Sequence, residues 1–145
     1  MTKTWYEILE WCSKGKTKKE RISRLQKNSS PILKQILGYT FDPDVTWLLP
    51  EGIPPFKSVA DSADVHGQFQ SEIRRLYLFV DGPTETQQKL KPQRREQLFI
   101  EMLESIHPDD AKLLSSMKER KLPFTGITRN VVSEAFPNLS KNWQG

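Results

Sequence analysis

Seven basic side chains, Lys14, Lys16, Lys18, Lys19, Arg21, Arg24 and Lys27, stand within fourteen residues, and Trp5, Tyr6 and Trp11 lie just ahead of them. Cations at this density neutralise phosphates, and aromatic rings beside them stack on bases, so the pattern predicts a nucleic-acid-binding segment with little sequence preference. The same run also suits a solubilising helix face. A second group, Trp47, Leu48, Leu49, Ile53 and Phe56, lies in an apolar stretch from Phe41 to Phe56 that four prolines interrupt. Prolines forbid a long helix or a central strand there, leaving an extended segment. It fits either a lid packed on the body of the protein or a docking surface for a partner protein.

Catalytic chemistry is sparsely supplied. Neither His66 nor His107 has a second His or a Cys at ligand spacing, so the sequence predicts no metal site. Asp42-Pro43-Asp44 and Asp61-Ser62-Ala63-Asp64 lack the glycine and the closing glutamate of a calcium loop. The seven glycines are scattered, with no phosphate loop, nucleophile elbow or dinucleotide fingerprint, so no cofactor is expected. Glu101 and Glu104 share a helix face that Arg94, Arg95 and Lys112 can neutralise, which reads as a solvated surface. Cys12, the single cysteine, follows Trp5, Ile8 and Leu9 at helical spacing and reads as a buried structural thiol. The balance favours a binding protein over an enzyme.

Charge divides the chain. Residues 1–40 hold nine Lys and Arg against three Glu, whereas residues 41–145 hold thirteen against fifteen Asp and Glu. A basic N-terminal helical segment, 1–30, is thus expected ahead of a roughly neutral helical body, 31–145. No apolar run approaches the roughly 20 residues that span a bilayer, and no secretory apolar region opens the chain, so a cytosolic protein without membrane contact is expected.

The elements that must position these groups are helical. Trp5, Ile8, Leu9 and Cys12 share one face of a helix over 4–13, and Ile22 and Leu25 give 17–27 a narrow apolar stripe under a wide basic face. Pro31 to Tyr39 carries Ile32, Leu33, Ile36 and Leu37. Residues 58–68 read as a mobile polar loop. From Gly67, the spacing of Phe69, Ile73, Leu76, Tyr77 and Val80 predicts one amphipathic helix closed by Asp81-Gly82-Pro83, and 84–92 reads as a surface connection. Leu98, Phe99, Met102, Leu103 and Ile106 mark a helix over 93–106. His107-Pro108-Asp109-Asp110 breaks it and starts the next, which carries Ala111, Leu113, Leu114 and Met117. Thr128 is a candidate N-cap for a short last helix bearing Val131, Val132, Ala135 and Phe136. The connection from Glu119 to Ile127 is too long for a helix-turn-helix. The expected fold is all-α: a single compact domain of about six helices with the Pro-rich segment packed on one side.

Three strings carry a resemblance: FDPDVTWLLPEGIPPFK (Phe41 to Lys57), RRLYLFVDG (Arg74 to Gly82) and the stretch from Leu98 to Leu139. In these the chain resembles a family of small uncharacterised proteins of T-even-like tailed bacteriophages, with no assigned activity or site residues. The basic segment before Ser30 lies outside those strings. The resemblance implies a phage-encoded protein acting in the bacterial host cytoplasm or packaged in the virion. The leading expectation is a non-enzymatic accessory protein that binds DNA or RNA through its basic segment. The alternatives are an adaptor or inhibitor of a host or phage protein, docking through the Phe41–Phe56 segment, and a virion structural component.

Overall fold

The computed structural model describes residues 4–57 and 68–143. Of the segment read as a polar loop, 58–68, residues 58–67 lie outside them, and with these His66 and the Asp61–Asp64 motif, while Gln68 begins a helix. Among the described residues the protein is all-α, a single compact domain without a sheet. Its helices are α1 (Trp5–Ser13), α2 (Lys18–Lys27), α3 (Pro31–Phe41), α4 (Gln68–Glu72), α5 (Glu85–Lys89), α6 (Pro92–Ser105), α7 (Pro108–Lys118) and α8 (Arg129–Ala135). A 3₁₀ stretch, Ile73–Phe79, continues α4, and a second, Pro137–Leu139, follows α8.

The helix starts follow from local chemistry. Thr4 and Glu7 close a capping box on α1, and Thr17, Ser30 and Thr128 each accept a backbone N–H at the start of α2, α3 and α8. Pro31, Pro92 and Pro108 open their helices, and His107 Nδ1 accepts the Asp109 N–H at 3.0 Å, so the histidine belongs to the helix break. The apolar stripes then meet. α7 lies at the centre, packed against α1, α3 and α6, while α8 joins α2 to α3. Leu9, Cys12, Leu25, Leu33, Phe99, Leu103, Leu113, Leu114 and Val132 all fall in one buried cluster. Burial pushes the Cys12 thiol up to about 11, in keeping with a structural role.

Two elements depart from the sequence expectation. Residues 68–80 do not form one α-helix: after a single turn the chain tightens to 3₁₀ geometry, which sets Ile73, Leu76 and Phe79, three residues apart, on one buried edge. Tyr77 turns outward, and Val80 becomes extended and pairs with Trp47. The expected surface connection 84–92 contains α5, whose capping-box residue Gln87 is buried and donates to the Tyr77 and Val80 carbonyls. Arg95, expected to neutralise Glu101 and Glu104, is only 5% exposed and donates instead to the Leu78 and Gln87 carbonyls. Irregular backbone that cannot bond to itself needs such partners.

The Pro-rich segment forms a strap over residues 42–57. Leu48 N–H donates to the Phe79 carbonyl at 2.8 Å, and the Asp81 N–H donates to Thr46. Trp47, Leu49 and Phe56 pack on the core cluster.

Candidate functional site

α1 and α2 pack on each other as a helical hairpin joined by residues 14–17, and two arginines hold its turn. Arg24 Nη1 donates to the Trp11 carbonyl at 2.7 Å, and Arg21 Nη1 donates to the Gly15 carbonyl at 3.0 Å. The Trp11 carbonyl sits in the last turn of α1 and the Gly15 carbonyl just past it, where helical partners run out, and a cation there also suits the helix dipole. Asp110 anchors the other end by accepting the Tyr6 N–H at 3.1 Å. The connector before α8 crosses the hairpin so closely that a Cβ at Gly126 would lie 2.3 Å from the Ser13 carbonyl oxygen.

The seven basic residues read from the sequence therefore separate into three groups. Arg21 and Arg24 are half-buried and committed to backbone, and Arg24 also pairs with Glu20 at 3.2 Å. Lys18 pairs with Glu134 of α8. Lys14, Lys16, Lys19 and Lys27 are exposed and make no ion pair among the described residues. Lys19 and Lys27 lie on α2 away from buried Leu25, while Lys14 and Lys16 lie in the turn itself. Glu20 shares that face, but it accepts the Lys16 N–H at 2.9 Å, and this bond holds its carboxyl below the usual range. Trp11 stands at the same edge, 45% exposed, with the Arg24 guanidinium 4.3 Å from its ring centre. Of the rings considered with it, Trp5 and Tyr6 are half-buried against the core cluster, and Tyr6 meets Phe124 edge-on at 5.0 Å.

The second group is divided differently. Trp47, Leu48, Leu49 and Phe56 are half-buried, and the Trp47 indole N–H donates to the Tyr39 carbonyl at 2.8 Å. Ile53 alone projects, 61% exposed, beside a cleft of about 240 Å³ lined by the strap, Glu96, Phe99 and Lys118. The turn beneath it is clasped from α7. Lys118 Nζ donates to the Pro50 carbonyl at 2.8 Å, and Glu119 accepts the N–H of Gly52, whose φ of 89° places it in the left-handed region. Sequence reasoning did not single out Lys118 or Arg120. Arg120, with φ of 66°, ends α7 and donates to the Tyr39 and Asp42 carbonyls where the strap begins. In the sequence both stand in a basic run that suits a helix C-terminus, and nothing in their spacing distinguishes that role from clamping a remote loop.

A family of unknown function (DUF6433) matches residues 8–123 of the chain. The chain belongs to that family. The match spans the strap and the hairpin's second helix, and so takes in the residues from Lys14 to Lys27. No curated protein and no solved structure matches the chain. Among the described residues there is no group of His, Cys, Asp and Glu able to hold a metal ion, and no helix is long and apolar enough to cross a membrane.

Proposed function

We propose that this family member is a phage-encoded accessory protein of the host cytoplasm that binds nucleic acid through the outer face of the α1–α2 hairpin. One observation supports the reading above the others: Lys14, Lys16, Lys19 and Lys27 face solvent and make no ion pair among the described residues, Glu20 beside Lys16 being the acidic group on that face, on a hairpin that Arg21 and Arg24 hold in shape. An array of exposed ammonium groups on a braced backbone matches a phosphate backbone by charge and carries no base-edge readout, hence little sequence preference.

The test is fluorescence polarisation with labelled random-sequence DNA and RNA over a range of salt. With four phosphate contacts, the logarithm of the association constant should fall with the logarithm of salt at a slope of about −3. Charge reversal at the four lysines should abolish binding, whereas retained affinity in that variant would sink the reading.

A second reading rests on Ile53, the most exposed large apolar side chain among the described residues. In it the protein is an adaptor or inhibitor that presents Ile53 and the adjoining cleft to a host or phage protein. Capture of one stoichiometric partner from infected cells, lost in Ile53→Asp, tests it. Mass spectrometry of purified particles tests the remaining virion role.

A further inference from the structure

We infer that Trp11 is a base-stacking platform and that the polymer taken by the hairpin is single-stranded. This rests on the nucleic-acid reading and adds the ligand class to it. Three observations converge on the indole. It is 45% exposed, so a ligand can reach it. One of its faces is covered by the Arg24 guanidinium at 4.3 Å, and that guanidinium is fixed by its bonds to the Trp11 carbonyl and to Glu20. Its position on α1 is three residues before Lys14, so the ring and the first free lysine share a helix face.

A ring braced from one side is held in one orientation without losing further freedom on binding. The guanidinium on the covered face leaves the opposite face for a nucleobase, in a stack of base, indole and cation. Only an unpaired base can enter such a stack, because the bases of a duplex are stacked on one another. The lysines then serve the phosphates on either side of the stacked nucleotide. Glu7 is exposed one turn before Trp11 on the same helix. It closes the track on that side by repelling phosphate, so the strand runs toward Lys14, Lys16 and Lys19.

The experiment compares the full chain with Trp11→Ala, Trp11→Phe and the four-lysine charge-reversal variant. The probes are a labelled oligothymidylate of about 16 nucleotides and a duplex of equal length. Trp11→Ala should weaken oligothymidylate binding about ten- to hundred-fold and leave duplex binding unchanged, while Trp11→Phe keeps most of the affinity. Oligothymidylate should quench tryptophan emission in the wild type, and that quench should vanish in Trp11→Phe, although Trp5, Trp47 and Trp143 remain. If Trp11→Ala binds oligothymidylate as the wild type does while the lysine variant fails, the platform is wrong and the phosphate face stands. If the wild type binds neither probe, the nucleic-acid reading falls and the platform falls with it.

Discussion

The α1–α2 hairpin packs on α7 and α8, and the strap over 42–57 is clasped from α7 beside α6, yet they meet solvent with different chemistry. The hairpin offers four exposed lysines and a braced indole; the strap offers Ile53 as its one exposed large apolar side chain, among exposed Asp44, Glu51 and Lys57. What holds them in place is the same device. Arg21 and Arg24 donate to carbonyls of the hairpin turn, and Lys118 and Arg120 donate to carbonyls of the strap and its approach. A cation beside irregular backbone is worth more as a hydrogen-bond donor than as surface charge, because a buried carbonyl without a partner costs about 1–3 kcal/mol. The difference between the regions is therefore in what remains after that need is met: the hairpin keeps four exposed lysines, and the strap keeps only Lys57.

The largest expected effect breaks the hairpin's seat. Gly126→Ala places a methyl group 2.3 Å from the Ser13 carbonyl oxygen and 2.9 Å from Arg21 Cδ. The first of these is backbone and cannot swing aside, so the cost should reach about 3 kcal/mol, lowering the melting temperature by roughly 8 °C. Thermal unfolding followed by circular dichroism checks it. An unchanged melting temperature would mean that the connector lifts freely and that the hairpin is not fixed by it.

Asp110 probes the hairpin's other end through pH. Burial raises its carboxyl from the ordinary 3.8 to about 6, outweighing the Tyr6 N–H that favours the charged form. Because the folded protein binds this proton more tightly than the unfolded chain, the stabilising contribution is complete below about pH 4 and is lost as pH rises through about 6. Asp110→Asn removes this dependence. The stability of Asp110→Asn relative to wild type should therefore climb between pH 4 and 7, by up to about 3 kcal/mol, in urea titrations. A flat difference would place Asp110 in contact with water and leave α1 held by its apolar face alone.

How much of this was legible depends on whether a residue's partner is near in sequence. Caps and stripes are local, so Thr128, His107-Pro108 and the buried sets of α6 and α7 were readable from spacing. Arg95, Gln87 and Lys118 look like surface residues in sequence because the carbonyls they serve belong to other segments, and only the fold brings those together. The 3₁₀ stretch was missed for a related reason. Ile73 and Leu76 fit both a 3.6- and a 3.0-residue period, and Phe79, the residue that decides between them, was not part of the pattern considered. At the hairpin, composition revealed the cations, while the division between structural arginines and free lysines required the position of the turn.

Within the strap the comparison sharpens further. Lys118→Met keeps the buried stem but removes the donor to Pro50 and the partner of Glu119; the Lys118 side chain is 2% exposed. The expected loss is about 2 kcal/mol. The same substitution at Lys19, exposed and without an ion pair among the described residues, should stay within about 0.5 kcal/mol. Urea midpoints of the two variants, measured side by side, decide whether free and clamping lysines differ as described. Equal losses would erase the distinction.

The smallest expected effect on stability carries the most information about the hairpin face. Lys18 and Glu134 form an ion pair whose side chains are 50% and 54% exposed, so solvent screens it and Glu134→Gln should change stability by less than about 0.5 kcal/mol. The consequence for binding is different. Removing the carboxylate releases Lys18 at the edge of the array formed by Lys14, Lys16, Lys19 and Lys27, adding a fifth cation without adding a residue. On the nucleic-acid reading, affinity should rise and the salt slope should steepen by about one. A protein that uses the strap instead would show no change in either quantity, because Glu134 lies on α8 beside α2, and the strap is held from α7.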